Sequence, residues 1–524
     1  MPQFRVKKLD SLLADAEHSQ GRLKRALGPF QLTALGVGAI IGAGIFSTVG
    51  SAAAGASEHE GAGPALIISF ILVAGACALA AFCYAEFASM VPISGSAYTY
   101  AYATLGEIAA WLIGWDLILE YAVGNVAVAI SWSAYFQDLL RGFHIAWPGW
   151  LGMDYRSAAQ AAHEFLQAQA AHKDLSALDP AIRHAAEIYA LAPRVLGLPI
   201  IMDLPAALVV VGITWVLVIG VRESARFNTT MVVLKLAIIV FFLVLGSFYI
   251  KPANWLPFAP NGFKGISSAA AIIFFAYIGF DAVSTASEEA RNPQRDIPFA
   301  IMASLVICTI VYIAVAIVLT GLTHWTKLAT AEPLAFAFTE LGMGWAAAIV
   351  SAGALLANGS VLLAFQMGQP RIFFSMARDG LLPAWAKRVH PRYQTPHVTT
   401  ILTGVLVAVF AGVTNINEVV ELTNIGTLFA FILVAVGVLI LRWKEPGRVR
   451  PFRTPWVPWV PLGAVFTCGY LMCQLPRVTW ERFVIWMAVG LVIYFGYGLR
   501  NSRLGRAHST PVPVAPDTAD RVSP

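Results

Sequence analysis

The chain has 524 residues, of which 58% are hydrophobic and only 12% are charged, and its mean hydropathy is +0.69. A soluble domain carries about a quarter charged residues, so this composition excludes a soluble protein of this length and requires that much of the surface face lipid. The formal net charge is +5, and the placement of the basic residues is more informative than their total.

Twelve apolar stretches are long enough to cross a bilayer, which needs roughly 20 residues of helix, and we number them spans 1 to 12. The preceding residues 1–27 are largely polar and lack the short apolar core of a cleavable signal. The tail, residues 501–524, is rich in Pro, Thr and Asp after Arg506, which predicts disorder. The transmembrane domain is therefore expected to cover residues 28–500. The predicted spans are 30–55, 64–91, 105–140, 204–221, 229–250, 266–288, 299–322, 343–370, 398–413, 418–441, 457–475 and 482–499.

The basic residues outside the spans are distributed unequally between the two sides. Most of the lysines and arginines fall in the N-terminal segment, the C-terminal tail and the loops on the same side, whereas the short loops opposite hold few. Cytoplasmic loops carry this excess of Lys and Arg. The asymmetry predicts that both termini are cytoplasmic, and it would be lost if one span were miscounted.

One long polar segment interrupts the pattern on the external side, at residues 141–202. Its middle, Ser157 to Ala190, is rich in Ala, Gln, His and Glu and predicts an amphipathic helix. Two interpretations are open: an insertion that caps the outer face, or a segment that binds a partner protein.

Span 1 contains four glycines within nine residues: Gly36, Gly38, Gly42 and Gly44. Each weakens a helix by about 1 kcal/mol relative to Ala, and a membrane helix tolerates a break only beside protein or a cavity. The N–H groups freed at the start of a half-helix bind anions, and a carboxylate is a natural guest. Close packing through small residues is the alternative. A dinucleotide loop fits poorly, because the third glycine of GxGxxG is one place late and no strand precedes it.

Span 6 carries a companion signal at Phe274–Asp281, where Gly279, several aromatic residues and a carboxylate occupy the middle of a span. An unpaired charge there costs roughly 2.5–3.5 kcal/mol on insertion scales. A break at this point would free carbonyls that can hold an ammonium group. Asp281 is a structural or gating candidate, since it also precedes a helical run and could cap it.

Spans 1 and 6 are five apart, which is the spacing required by a five-plus-five inverted repeat with a site between the first helix of each half. N–H groups for a carboxylate and carbonyls for an ammonium describe a zwitterion, so these residues indicate an amino acid as cargo. Lipid surrounds the spans, and nothing in the sequence identifies a protein partner or a nucleic-acid partner.

Three ionisable residues lie deeper inside spans. Lys235 in span 5 either extends to the cytoplasmic surface or is buried, and burial would allow it to lose its proton. Asp116 and Glu120 in span 3 are four apart and share a helix face. Glu120 is either linked to proton or substrate binding or is a satisfied structural carboxylate, and Asp116 is a structural or gating candidate.

Cysteine and histidine placement disfavours an enzyme. The five cysteines lie inside apolar runs with no CxxC spacing, as small buried side chains do. None of the ten histidines lies deep in an apolar run, where a haem or metal site inside the bilayer would need ligands. No nucleophile–base set lies inside the spans, so we expect no catalysis, no cofactor and no metal.

Four motifs resemble the bacterial branch of the cationic amino acid transporter family, in the amino acid–polyamine–organocation superfamily. The resemblance covers about residues 28–500, and the span 6 motif is the most specific. The motifs are GAIIGAGIF in span 1, PISGSAYTY (Pro92 to Tyr100), FFAYIGFDAVSTASEEARNPQRDIP (Phe274 to Pro298) and RIFFSMARDGLLP (Arg371 to Pro383).

This resemblance implies an all-α fold of ten core helices in an inverted repeat, plus two C-terminal helices. It implies that the substrate carboxylate meets N–H groups at Ala43 and Gly44, and that the amine meets carbonyls in spans 1 and 6. It also implies that Lys235 takes the place of a sodium ion, with proton coupling, and that Glu120 is a family acidic residue. The expected substrate-binding residues are Ile40, Ile41, Gly42, Ala43, Gly44, Phe275, Ala276, Ile278 and Phe365.

Phe365 in span 8 departs from the family pattern. It stands where members that carry cationic amino acids have a small side chain, so a ring there should shorten the pocket. The expected function is therefore proton-coupled uptake of neutral L-amino acids such as alanine by alternating access across a bacterial inner membrane. The alternatives are a cationic amino acid transporter, an exchanger, and a nutrient receptor without transport.

Overall fold

The computed structural model describes residues 27–56, 59–91, 96–172, 180–220, 225–393 and 395–505. The predicted cytoplasmic segment up to residue 26 and the predicted disordered tail from residue 506 lie outside the described residues, as does the start of the Pro92 to Tyr100 motif.

Each of the twelve predicted spans coincides with helical structure in the described ranges. Eight helices are long and apolar enough to cross a membrane, one further span is a bent pair of helices, and three shorter apolar helices fill the remaining positions. The all-α membrane fold is therefore confirmed. In order, the spans are Pro29–Ile40 with Gly44–Ala54, Gly63–Met90, Glu107–Gly142, Leu204–Ile219, Thr229–Ser247, Gly262–Thr285, Pro293–Leu322, Gly344–Arg378, His397–Val413, Ile416–Lys444, Trp459–Cys473 and Arg477–Asn501.

The packing partners follow a five-plus-five repeat. Spans 2 and 7, 3 and 8, and 4 and 9 pack against each other across the two halves. Span 1 packs on span 5 as span 6 packs on span 10, and span 1 lies against span 7 as span 6 lies against span 2. This correspondence is what an inverted repeat produces. Spans 11 and 12 are additions at the periphery, where span 11 contacts spans 2 and 10 and span 12 contacts spans 3 and 10.

The segment 141–202, between spans 3 and 4, contains two amphipathic helices, Tyr155–Ala170 and Pro180–Leu191, which pack on each other. The amphipathic helix expected between Ser157 and Ala190 is therefore confirmed for the described residues, and it is divided between two helices. His172 has a φ of +52°, a left-handed conformation that ends a helix. The second helix begins at Pro180, and proline is favoured in the first turn of a helix. A short hairpin, Arg194–Val195 with Leu198–Pro199, leads back to span 4.

Two smaller features frame the transmembrane domain. At its C-terminal end, span 1 continues into a short hairpin in which Gly55–Ala56 pairs with His59–Glu60. At the end of span 2, buried Glu86 accepts hydrogen bonds from Arg442 and Arg450, the closest at 2.8 Å. This ion pair fastens the segment after span 10 to span 2.

Candidate substrate-binding site

Span 1 is interrupted near its middle. Its first helix, Pro29–Ile40, gives way to Ile41 in an extended conformation (φ −77°, ψ 101°), and the chain resumes with a π-helical turn, Gly44–Thr48. The two halves meet at an angle of 41°. The N–H groups of Ala43 and Gly44 have no hydrogen-bond partner within the described part of the chain. They stand at the start of the outer half-helix, where N–H groups and the helix dipole favour an anion.

Span 6 is interrupted at the same depth. Its first helix ends at Ile273, a 3-10 turn covers Phe274–Tyr277, and Ile278 is extended (φ −61°, ψ 134°). Gly279 then adopts a φ of +119°, which glycine tolerates far better than residues with a side chain. The carbonyl of Phe275 accepts the Ile278 N–H at 3.3 Å, whereas the Ile278 carbonyl accepts no hydrogen bond from any described residue.

The two interruptions face each other across a minimal gap. A Cβ atom added to Gly44 would lie 2.3 Å from the Cα atom of Ala276, and one added to Gly279 would lie 2.9 Å from the carbonyl of Ala39. Distances this short forbid any side chain at either position. The sequence left two interpretations of the span 1 glycines open, a helix break and close packing. Both apply, because the glycines lie at a break and also permit close packing.

Tyr312 of span 7 joins the two interruptions. Its buried hydroxyl lies 3.0 Å from the Ile40 carbonyl and 2.8 Å from the Ala276 carbonyl, so its single proton is shared between oxygens of both broken spans. Ile40 and Ala276 are both among the residues expected to bind the substrate. Each carbonyl keeps a second lone pair. Sequence reasoning missed Tyr312, because a tyrosine inside an apolar run gives no local signal.

Lys235 is buried and does not extend to the surface of the protein. Its Nζ atom donates to the carbonyls of Gly38, at 2.8 Å, and Ile41, at 3.1 Å, and the residue is 2% exposed. Both carbonyls belong to the end of the first half of span 1, where a helix lacks intrahelical donors and favours a cation. The lysine thus places a titratable ammonium group against the interruption itself.

Three carboxyl groups are buried around this region. Glu120 lies within hydrogen-bond reach of Thr427 and interacts electrostatically with Asp281 and Asp116. Asp281 precedes the helix Ala282–Thr285 but accepts no capping hydrogen bond, so the capping interpretation is not supported. Neither oxygen of Asp116 has a hydrogen-bond partner among the described residues, and one oxygen of Asp281 also lacks one. Buried carboxyls without partners are costly when charged.

Phe365 of span 8 packs against span 3. It is 8% exposed and makes an edge contact with Tyr121, with ring centroids 5.5 Å apart. Val361, one turn earlier on the same helix face, is 2.9 Å from where a Cβ of Gly42 would lie. The face of span 8 that carries both side chains is therefore turned toward span 1.

Asn424 of span 10 is a second residue that sequence reasoning missed. Its fully buried side chain donates to the carbonyls of Ala271, at 2.8 Å, and Ile272, at 3.0 Å. These carbonyls belong to the last turn of helix before span 6 breaks, where carbonyl groups have no N–H donor within the helix. A polar side chain within predicted span 10 was the available signal.

Side-chain contacts surround the second half of span 1, beyond the interruption. Ser47, in the outer half of span 1, hydrogen bonds Ser131 of span 3 and the carbonyl of Ala331. The Tyr135 hydroxyl donates to the carbonyl of Phe46, and the two rings make an edge contact with centroids 5.9 Å apart. These contacts form a layer of side chains on the C-terminal side of the span 1 interruption.

Comparison with known proteins identifies the family of this chain. A family model described as amino acid permease matches residues 27–494. The chain is 45% identical to the methylthioribose transporter of Bacillus subtilis (strain 168) over 503 residues, and 42% identical to the branched-chain amino acid permease BcaP of the same organism over 504 residues; each match covers 96% of this chain and 99% of the relative. It is 37% identical over 451 residues to the vacuolar cationic amino acid transporter 4 of Arabidopsis thaliana, covering 85% of this chain and 68% of the relative. The chain therefore belongs to the amino acid permease family, within the superfamily that its motifs indicated.

Proposed function

We propose that this protein takes up neutral L-amino acids with small or branched aliphatic side chains, coupled to proton entry, by alternating access. The observation that carries this proposal is the juxtaposition of the two interrupted spans. Free N–H groups at Ala43 and Gly44 suit a carboxylate, and carbonyls in span 6 suit an ammonium group. Backbone groups recognise what all α-amino acids share.

The preference for neutral cargo rests on Phe365. Its ring occupies the space between spans 3, 8 and 10, since it would lie 3.1 Å from a Cβ on Gly124. A long cationic side chain would have to displace it. The relative BcaP is named for branched-chain amino acids, which supports an aliphatic cargo. Relatives named for cationic amino acids are less similar to this chain.

Proton coupling rests on Lys235 and on the three buried carboxyls. A lysine that holds two carbonyls of span 1 when charged would release them on losing its proton. Release would change the stability of the interruption, which links protonation to the shape of the site. Glu120, Asp116 and Asp281 offer further sites for a transported proton.

We place the chain in a bacterial inner membrane with both termini cytoplasmic. The basic residues of the loops after spans 8 and 10, among them Arg388 and Arg448, support that orientation.

A methylthioribose transporter is the second candidate. It is favoured by the 45% identity to the relative of that name. Methylthioribose carries neither a carboxylate nor an ammonium group. The N–H groups of span 1 and the carbonyls of span 6 would therefore have no charged group to bind.

Reconstituted vesicles separate these functions. Purified protein in proteoliposomes with an acidic exterior should accumulate labelled leucine and alanine, and accumulation should cease when a protonophore collapses the gradient. Leucine flux that requires internal leucine and ignores the gradient would identify an exchanger. Uptake of arginine or methylthioribose without leucine uptake would refute the proposed cargo, and saturable binding without flux would identify a receptor.

A further inference from the structure

The segment between spans 10 and 11 is bounded by the membrane at both ends. Span 10 ends at Lys444 and the helix of span 11 begins at Trp459, so only residues 445–458 connect them. A connection this short stays close to the membrane–water interface, where tryptophan is enriched and where basic side chains meet lipid headgroups. Together with the helix turns that flank it, this segment is therefore a candidate surface for lipid contact.

Hydrogen bonds fasten this segment to the end of span 2. The guanidinium group of Arg450 donates to Glu86 at 3.1 Å. The same group donates to the carbonyls of Glu445 and Arg448, each at 2.8 Å, so it also closes the segment on itself. The Thr454 N–H donates to the second oxygen of Glu86 at 2.8 Å. These contacts fix the backbone of the segment, and they thereby fix the positions of the side chains that the protein leaves exposed.

The exposed side of the segment carries three tryptophans. Trp443 is 82% exposed, Trp456 is 81% exposed and Trp459 is 74% exposed. Trp456 has a φ of +44°, in the left-handed region that residues with a side chain rarely adopt. Its carbonyl accepts the Trp459 N–H at 2.7 Å, so this turn is built into the start of span 11 and holds the indole away from the protein. A fixed backbone thus presents three aromatic rings to the surroundings.

The same surface has an excess of positive charge. Residues 442–459 contain five basic residues and one acidic residue, and buried Glu86 adds one negative charge. Three of the basic residues are already paired with a carboxylate, namely Arg442, Arg448 and Arg450. Lys444 and Arg453 are exposed and form no ion pair with a described residue, and Arg453 is close enough to Arg450 for the two to repel each other. These two side chains therefore attract an anion from outside the chain.

We propose that this segment binds the headgroup of an anionic phospholipid. Lys444 and Arg453 supply positive charge to the phosphate, and the indole N–H groups of the three tryptophans donate to its ester and phosphate oxygens while the rings lie against the acyl chains. A phospholipid fits better than a soluble anion, which would leave the three rings in water. The segment lies on the side that we propose to be cytoplasmic, where membranes carry anionic lipids. This inference does not depend on the identity of the cargo.

Lipid affinity tests this inference. The full chain, purified in detergent and freed of lipid, is titrated with dioleoylphosphatidylglycerol or dioleoylphosphatidylcholine, and native mass spectrometry gives the apparent affinities. The anionic lipid should bind roughly tenfold more tightly, because each basic side chain near a membrane surface contributes about fivefold in affinity. The double variant Lys444→Gln, Arg453→Gln should lose most of this preference and should bind phosphatidylcholine as the wild-type protein does. Trp456→Ala should weaken the binding of both lipids.

Matched variants elsewhere control for the loss of charge and of a ring. Lys251→Gln, Arg477→Gln removes one exposed lysine and one exposed arginine from other loops and should keep the preference for the anionic lipid. Trp215→Ala removes an indole that is 67% exposed on span 4 and should bind both lipids as the wild-type protein does. All of the substituted side chains are exposed, so each variant should unfold at the wild-type temperature.

Three outcomes would overturn the lipid site. The first is equal affinity of the wild-type protein for the two lipids, and the second is an unchanged preference in the double variant. The third is binding of soluble glycerol phosphate as tightly as phosphatidylglycerol, which would assign the basic side chains to a free phosphate.

Discussion

At the scale of single residues, the proposed transport function depends on side chains that contact backbone groups of the broken spans. Lys235, Tyr312 and Asn424 donate to carbonyls of spans 1 and 6 that have left the regular helical pattern. Phe365 differs from these, because it acts by its volume. Replacing each of these residues is therefore expected to impair transport in a different way.

Lys235→Ala should abolish accumulation driven by a proton gradient, because no ammonium group then holds the carbonyls of Gly38 and Ile41. Leucine uptake into proteoliposomes with and without an imposed pH gradient measures this. Lys251→Ala, an exposed lysine of an external loop, is the control and should accumulate leucine normally. Full accumulation by Lys235→Ala would assign the residue a structural role.

Phe365→Ser should admit longer substrates, since it vacates the space beside Gly124 and Tyr121. Arginine should then compete with labelled leucine, with an apparent affinity at least tenfold higher than in the wild-type protein. Phe373→Ser, on the same span but two turns away, controls for the loss of a ring. An unchanged competition profile would exclude Phe365 from the pocket.

At the scale of elements, the sequence indicated where spans 1 and 6 break but not what stabilises the breaks. Gly44 and Gly279 are local signals, because a close approach and a φ of +119° both require glycine. Tyr312 and Asn424 lie on other spans, and their contacts depend on helix packing that no local pattern encodes. The same limit explains the insertion, whose composition predicted amphipathic helix but whose division depends on the left-handed backbone at His172.

Asn424→Leu should weaken substrate binding without unfolding the protein. The carbonyls of Ala271 and Ile272 would lose their buried donors, at a cost of about 1–3 kcal/mol each, and the break in span 6 would shift. Leucine affinity should fall by roughly tenfold or more, as measured by thermal shift and by titration. Asn417→Leu, at the outer end of the same span, is the control for loss of an asparagine. Unaltered affinity in Asn424→Leu would show that the break needs no external donor.

The external hairpin should confer a dependence of stability on pH. Burial lowers the pKa of His59 to about 4, whereas an unfolded histidine titrates near 6.5. The folded hairpin therefore holds His59 neutral, and its full stabilisation is present above about pH 6.5 and is lost as the pH falls toward 4. Between pH 7 and pH 5 this loss amounts to about 2 kcal/mol.

His59→Leu should remove that loss, because leucine does not titrate. Unfolding temperature is measured for both proteins at pH 7 and pH 5, and the variant should show a smaller decrease. Glu60→Gln, which breaks the exposed pair with Lys264, controls for other changes in the hairpin. Equal decreases of the unfolding temperature in His59→Leu and the wild-type protein would contradict the assignment of this pH dependence to His59.

At the scale of the whole molecule, the repeat places the two interruptions at one depth and opposite each other. The spacing of five spans was readable from the sequence, and the correspondence of packing partners agrees with it. Conformational change must then pass through the elements that contact both interruptions. Span 7 contacts both through Tyr312, and the ion pairs of Glu86 join span 2 to the end of span 10.

The most direct test is a structure of the protein in nanodiscs with leucine bound, determined by electron cryomicroscopy. The account predicts a leucine between spans 1 and 6, with its carboxylate within hydrogen-bond distance of the Ala43 and Gly44 N–H groups and its ammonium group facing the carbonyl of Ile278. Leucine bound elsewhere, with both spans joined into continuous helices, would contradict it.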